Sequence, residues 1–397
     1  MPKKYDIMVA GHVCLDLIPR FTKTSSDKIE EILTPGKLVN MEKCIISTGG
    51  PVSNTGIALQ KLGNSVSFCA RVGDDPLGQL TSGQLEKTGN TAGMKKAEKS
   101  ASSYTIALAP PNIDRIFLHS PGTNDSFTAD DLDPELISQC KHFHFGYPPL
   151  MEKMYAGKGE ELVRVMQIAR ECGAITSLDM ALPDPESVAG KAPWADILQN
   201  VLPYVDIFFP SVEEILYMLD PDKFKQMKKQ HQNADLLDFI EFDLYTELAG
   251  HLLEMGAHMT ALKAGHKGFY FRTARHDNFD LLCSDLLENW NERELFSPAF
   301  QAREVASATG SGDSSIAGFL SAFIRNKSLE ECIKFACLVG WENVQAFDAI
   351  SGVKSWEDSE RLLQSNTLEM HPIDLGKYGW TWNPEKRLWS SPADTNI

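Results

Sequence analysis

The sequence predicts an α/β protein, with a central, mostly parallel sheet and helices on both faces. Two observations carry this reading. From residue 130 onward, short apolar runs alternate with helical stretches, and alternating units of this kind imply parallel strands joined by crossover helices. In addition, glycine-rich turns run directly into helices at two places in the chain. Folds of this class gather their ligands at such strand ends and helix starts.

The bulk properties fit. A chain of 397 residues with 43% hydrophobic content can bury a large core, as one α/β domain with a subdomain or as two domains. Its net charge of −16 argues against nucleic acid and anionic membrane surfaces as partners. No apolar run approaches the roughly 18 residues of a membrane span. The start reads as a first strand and not as a secretion signal. The eight cysteines are scattered singly, without a Cys-x-x-Cys pair. That pattern points to reduced thiols in a cytoplasmic protein and away from structural zinc.

Taken in order, Ile7-Met8-Val9-Ala10-Gly11 reads as a buried strand that continues through Val13 to Pro19, with Asp16 near its end. Asp16 is either a cap or an acceptor for ligand hydroxyls. Residues 20–46 are polar, then extended. Ser47 to Gly63 contains Gly49-Gly50-Pro51, a proline suited to a first helical turn, and Gly63 suited to a C-terminal cap. Ser65 to Val72 alternates as a strand and ends in Gly73-Asp74-Asp75-Pro76-Leu77-Gly78, where Asp74 and Asp75 read as turn formers. Residues 101–119 form a hairpin around Pro110-Pro111-Asn112.

Strand–helix units follow: His142 to Gly146, a helix over 158–172, Ala174 to Asp179, a helix over 194–202, and Val205 to Pro210. His142 and His144 share a strand face, but no third metal ligand accompanies them. Ser211-Val212-Glu213-Glu214 opens the next helix, and residues 220–250 are a charged helical insertion. Thr260 to Tyr270 is a strand, a glycine turn and a return strand. Ile316, Phe319, Leu320, Phe323 and Ile324 have helical spacing, and a helix pair runs to about residue 347. In the tail past 370, Trp380 and Trp382 pack on the body.

The chain centres on Gly310-Ser311-Gly312-Asp313. A Gly-x-Gly turn entering a helix leaves backbone N–H groups free at the positive end of the macrodipole, where they can cradle a phosphate. A carboxylate there makes sense beside a hydroxyl that must lose its proton. An anion hole with a base is what phosphoryl transfer to an alcohol requires. One rival is a serine hydrolase built on Gly312-Asp313-Ser314, with Ser314 as nucleophile. Another is a dinucleotide-binding oxidoreductase, for which the Gly-x-Gly-x-x-Gly after the first strand is missing.

Gly310-Ser311-Gly312-Asp313 resembles the Gly-Ala-Gly-Asp signature of the ribokinase-like (PfkB) carbohydrate kinases. Gly49-Gly50 with Asn54, followed by Gly73 to Gly78, resembles the same family's first signature over about 30 contiguous residues. The resemblance spans about residues 5–355. It implies a ribokinase-like three-layer sandwich, with a core of residues 1–16, 47–96 and 123–397 and a β-sheet lid of 17–46 and 97–122. It implies an ATP-dependent sugar kinase in which Asp313 is the general base and the amides of Gly310, Ser311 and Gly312 form the anion hole. Asp16, Gly49, Gly50 and Asn54 would hold the sugar. Lys263, Gly265, Gly268 and Asn343 would line the nucleotide site. Glu214 matches the Glu that organises the Mg²⁺-phosphate region, with Ser211 in place of the family's Asn. The lid leaves room for a homodimer.

Two departures matter. Ser307-Ala308 replaces the usual Asp-Thr, whose Asp helps hold a monovalent cation, so potassium activation is in doubt. The same change opens an alternative, a non-catalytic sugar or nucleotide sensor on this fold. Asp179 is followed by Met180-Ala181-Leu182-Pro183, not by the Asn and Arg of fructokinase-like members, so the sugar does not carry over.

Overall fold

The structure is a computed structural model, and it describes residues 3–22, 28–110, 113, 116–231, 234–275 and 289–394. Among the described residues the strands are β1 (Tyr5–Gly11), β2 (Cys14–Phe21), β3 (Met41–Gly49), β4 (Val66–Cys69), β5 (Arg71–Gly73), β6 (Lys95–Ala97), β7 (Tyr104–Leu108), β8 (Ile116–Ser120), β9 (Cys140–Gly146), β10 (Ile175–Asp179), β11 (Ile207–Phe209), β12 (Met259–Lys263), β13 (Gly268–Thr273), β14 (Glu294–Pro298), β15 (Thr381–Asn383) and β16 (Leu388–Ser390). Ten of them form one sheet in the order β15-β16-β14-β13-β12-β11-β10-β9-β1-β4. From β4 to β12 every pairing is parallel, and from β12 to β15 every pairing is antiparallel.

Parallel strands covered on both faces must be apolar on both faces. Strand β1 is buried from Ile7 to Gly11, and β11 along its whole length. Two apolar layers result. One lies under the helices Glu160–Glu171, Trp194–Val201 and Phe242–Glu254, and the other under Pro51–Lys61, Ser311–Ile324 and Leu329–Asn343. The helix Glu160–Glu171 shows the local cause. It buries Leu162, Val165, Met166 and Ala169, a stripe at i, i+3, i+4 and i+7, while Glu160, Arg164 and Glu171 face solvent.

Four strands in the order β3-β2-β7-β8 make a separate small sheet. It joins the main body where β1 passes into β2 and where β3 passes into the helix Pro51–Lys61. The expected single strand from Ile7 to Pro19 is therefore two strands in two sheets, broken at His12-Val13. The backbone of Val13 explains the break. Its N–H donates to Asn124 Oδ1 at 3.2 Å and its carbonyl accepts from Asn124 Nδ2 at 2.9 Å, so neither group is available for a ladder. Asp16 accordingly sits inside β2 of the small sheet, opposite Ser47 of β3 and Thr105 of β7, and not at the end of β1. The run from Ser65 to Val72 likewise divides into β4 of the main sheet and β5 of a two-stranded sheet with β6. Strands β7 and β8 pair antiparallel as expected of a hairpin, while Pro111, Asn112 and Arg115 of that segment lie outside the described residues.

The tail extends the main sheet. Strand β16 pairs with β14, Trp380 is buried against Phe242, and Trp382 packs on Trp389. A buried ion pair anchors this end: Arg293 Nε donates to Asp394 Oδ1 at 2.9 Å. The 220–250 insertion is a helix, Pro221–Gln230, and a 3-10 turn, Leu236–Phe239, followed by the start of the helix Phe242–Glu254. No helix among the described residues is long and apolar enough to cross a membrane.

Candidate active site

The site forms where the helix Ser311–Ile324 begins. Its N-cap, Gly310, has φ of 74°, and a Cβ there would lie 2.4 Å from the carbonyl oxygen of Ala349. Both the backbone region and the space require glycine. Asp313 then falls in the first turn, 2% exposed, and its carboxylate meets three donors. Asn54 Nδ2 donates to Oδ2 at 3.0 Å, Thr55 Oγ1 donates to Oδ1 at 3.2 Å, and the Tyr147 hydroxyl reaches both oxygens, at 3.1 and 3.0 Å. Burial pushes the Asp313 pKa up. The donors Asn54, Tyr147 and Thr55 and the charge of Lys263 pull it part of the way back. Of the three amides expected to form the anion hole, that of Ser311 donates to Ala308 O at 3.2 Å, a turn bond that a phosphate would have to replace.

Lys263, at the end of β12, and Asp179, at the end of β10, form a buried ion pair that faces the same helix start, with side chains 13% and 0% exposed. Burial pulls Lys263 down, but the charges of Asp179, Glu214 and Asp313 more than offset it, and its pKa lies above the ordinary value. Burial raises Asp179, Lys263 opposes the rise, and Glu214 and Asp313 add to it. Asp179 Oδ2 has no hydrogen-bond partner. Three carboxylates thus share one cation. Glu214 also caps its own helix: the Ser211 N–H donates to Glu214 Oε2 at 2.6 Å, and Ser211 Oγ accepts from the Glu214 N–H at 3.2 Å.

On one side of this cluster opens a cleft of about 760 Å³, within the range of cofactor sites. Lys263, Gly265, Gly268, Ser311 and Gly312 line it, together with Phe269, Val305, Ala308, Cys337, Trp341 and Val344. Gly268 has φ of 140°, and a Cβ there would lie 2.0 Å from Ser297 O. The insertion contributes Asp235 and Leu237 to this cleft. Asn343 is placed differently from the expectation. It is fully buried behind the glycine loop, and its Nδ2 donates to Thr309 O at 3.0 Å. It braces the loop instead of facing the cleft. Its neighbours Trp341 and Val344 supply the wall.

A second group of residues comes from the small sheet and from the Gly49-Gly50 start of the helix that carries Asn54. Asp16 is close-packed on Gly49, where a Cβ would come within 2.4 Å of Asp16 Oδ2. Gly50, with φ of 81°, leaves room for His12, whose Nδ1 would be 2.5 Å from a Cβ. Cys14 Sγ donates to Asp16 Oδ1 at 3.3 Å, and Thr105 Oγ1 is 3.0 Å from His119 Nδ1. Burial raises the Asp16 pKa. Burial, helped by His119, lowers that of His12 to about 3, so His12 is neutral.

Sequence reasoning missed Tyr147, Thr55, His12 and His119. Tyr147 carried one local signal: it follows the last glycine of an apolar strand and precedes two prolines. The rival motifs fare differently. Ser314 is fully buried and its hydroxyl has no hydrogen-bond partner, so no histidine activates it as a nucleophile. His142 Nε2 and His144 Nδ1 both bond Ser177 Oγ, at 2.7 and 2.8 Å, inside the core.

The fold and this constellation define a phosphotransferase of the sugar-kinase type. The chain belongs to the pfkB family of carbohydrate kinases, whose profile matches residues 4–356. It is 22% identical over 373 residues to fructokinase-2 of Solanum lycopersicum, covering 90% of this chain and 96% of the relative. It is 21% identical over 297 residues to an uncharacterized sugar kinase of Archaeoglobus fulgidus, covering 75% of this chain and 98% of the relative. Among solved structures it is similar to Arabidopsis thaliana ribokinase complexed with ribose and ATP, at a TM-score of 0.67 and 17% identity, covering 92% of this chain and 99% of that one.

Proposed function

We propose that this sugar kinase transfers the γ-phosphoryl group of ATP to a hydroxyl of a sugar or sugar-like small molecule, with Asp313 as the general base. The observation that carries this reading is a buried carboxylate at a glycine-built helix start, with Ser311 and Gly312 of that start lining the 760 Å³ cleft and Asn54 of the helix after Gly49-Gly50 bonded to the carboxylate. ATP occupies the cleft, its base against Trp341 and Val344 and its phosphates at the helix start. The acceptor lies under the lid, its hydroxyls held by Asp16 and Asn54 and its backbone contacts made at Gly49 and Gly50.

Asp313 accepts the proton of the attacking hydroxyl. The hydroxyl oxygen bonds the γ-phosphorus as the bond to the bridging oxygen breaks, and ADP leaves. Charge on the transferring group is met by the amides from Gly310 to Gly312 and by Lys263, whose Nζ lies 3.8 Å from where a Cβ on Gly312 would be. The reaction needs positioning and electrostatics but no covalent intermediate. Glu214 lines the smaller cleft beside Ser211, Ser311 and Gly312, and its carboxylate suits the hydration shell of a hard divalent cation. Mg²⁺ bound there with the nucleotide would neutralise phosphate charge. A panel of neutral sugars, sugar acids and nucleosides, assayed for ADP release, tests the reading. ADP release with at least one acceptor is expected, and none with any would count against it.

A second reading, a non-catalytic sensor, draws on the loss of the family's Asp at Ser307 and on the occupied Ser311 amide. Ligand-dependent thermal shifts without ADP release would favour it.

A further inference from the structure

Tyr147 stands at the junction of the two half-sites. It follows β9 directly, with φ of 63° and ψ of 46°, a left-handed conformation that non-glycine residues rarely adopt. Pro148 and Pro149 follow and fix the backbone beyond it. The strained backbone places a half-buried phenol so that its hydroxyl bridges both oxygens of Asp313, at 3.1 and 3.0 Å. Asn54 and Thr55 each hold one of those oxygens from the helix Pro51–Lys61. A carboxylate has about four accepting positions; Asn54 and Thr55 take one each, and the single phenol proton is shared between both oxygens across what they leave. A base must take its proton over about 2.6–3.2 Å. An acceptor hydroxyl that gives its proton to Asp313 competes with the Tyr147 hydroxyl for those positions.

We propose that Tyr147 is a place-holder on the base: in the absence of sugar it occupies the accepting position of Asp313 and keeps water from using it. This rests on Asp313 being the base. The reaction it suppresses is hydrolysis. A water proton would pass to Asp313, the water oxygen would bond the γ-phosphorus, the bond to the bridging oxygen would break, and ADP and inorganic phosphate would leave. A sugar outcompetes the phenol because Asp16 and the lid hold it by several hydroxyls at once, whereas water has only the one contact.

A second consequence concerns acid. The charged and titratable groups around Asp313 are Tyr147 from the end of β9, Lys263 from β12 and Asp179 from β10, with Glu214 from the helix Val212–Leu219 acting on all three, while Asn54 and Thr55 are uncharged. Loss of the phenol removes a donor to the carboxylate and moves its titration to higher pH.

The test is Tyr147→Phe, which keeps the ring and removes the hydroxyl. Phosphate release from ATP without acceptor should rise at least tenfold over the unsubstituted chain, and adding Asp313→Asn to Tyr147→Phe should abolish the rise. With sugar present, the acid limb of kcat/KM should move to higher pH. Tyr147→Leu, which also lacks the hydroxyl, gives the same readout should the phenylalanine variant fold poorly. Unchanged acceptor-free hydrolysis in a variant that still phosphorylates sugar would overturn the place-holder and leave the base intact. A rise that survives Asp313→Asn would show that water is activated elsewhere and would also overturn it. If Asp313→Asn alone leaves sugar phosphorylation unaffected, the underlying assignment of the base fails instead.

Discussion

Lys263→Met removes the only cation among the described groups that act on both Asp179 and Asp313. The pair it breaks is buried, with side chains 13% and 0% exposed. Removing one member of such a pair typically costs about 3–5 kcal/mol, because the other charge is left unpaired in a dry site. Asp179 can escape by taking up a proton, and each tenfold change in its proton affinity costs about 1.4 kcal/mol. Burial raises the Asp179 pKa in the folded chain, and without Lys263 it rises further. The folded form is therefore unpenalised below the ordinary carboxylate range and loses stability as pH climbs through the raised value. Because Asp179 is raised to about 8 even beside Lys263, the deficit of Lys263→Met should be small at pH 5 and pH 7 and grow as pH climbs above that value. With a urea m-value near 3 kcal/mol/M, the midpoint should fall by roughly 1–1.7 M where the full deficit is expressed. The double variant Lys263→Met, Asp179→Asn should regain most of it. Urea unfolding of the three chains at pH 5, 7 and 9 is the assay. A deficit of under about 1 kcal/mol at every pH, or one that shrinks as pH rises, would refute the buried-pair argument.

Gly50→Ala should destabilise by about 2 kcal/mol or more and raise the acceptor KM, because it combines a left-handed backbone with a Cβ 2.5 Å from His12 Nδ1; thermal unfolding and KM check it. Asp16→Ala should raise the sugar KM at least tenfold while ATP binding survives, since a polyol left with an unpaired hydroxyl binds poorly; unchanged kcat/KM on the true substrate would contradict this. Asn54→Ala should lower kcat as well as sugar affinity, because Asn54 Nδ2 also donates to Asp313 at 3.0 Å; a pure KM effect would separate the two roles. Replacing Na⁺ by K⁺ should change kcat little if Ser307 removes the cation's carboxylate, and a strong K⁺ requirement would show that other groups rebuild that site.

The readable parts of this protein are those whose physics is local. A Gly-x-Gly turn before an apolar 3.6-residue period specifies a helix start, and Gly49-Gly50-Pro51 before a helical period does the same. Alternating strand and helix runs specify the α/β class. The misreadings sit where distant residues decide. His12-Val13 looks like mid-strand until Asn124, 111 residues away, takes both backbone groups of Val13. Tyr147 lies 166 residues from the carboxylate it bridges, and no spacing rule spans that distance. Asn343 stands in a run that does border the cleft, but helical geometry turns it inward and turns Trp341 and Val344 outward. Strands β15 and β16, three residues each, are too short for a period-2 signal and exist because β14 offers an edge.

The central claim is that the Asp313 carboxylate is the base, and Asp313→Asn addresses it most directly. The change keeps the side chain's size and its hydrogen bonds within reach but removes its basicity. Loss of a general base typically costs about 10²–10⁴ in rate. With ATP and the best acceptor from the panel, kcat should fall by at least 10² while both KM values change little and the fold survives. Ser314→Ala, measured beside it, should be mild, because that hydroxyl is buried behind the helix start. Near-normal turnover in Asp313→Asn, or loss of turnover in Ser314→Ala alone, would contradict the account.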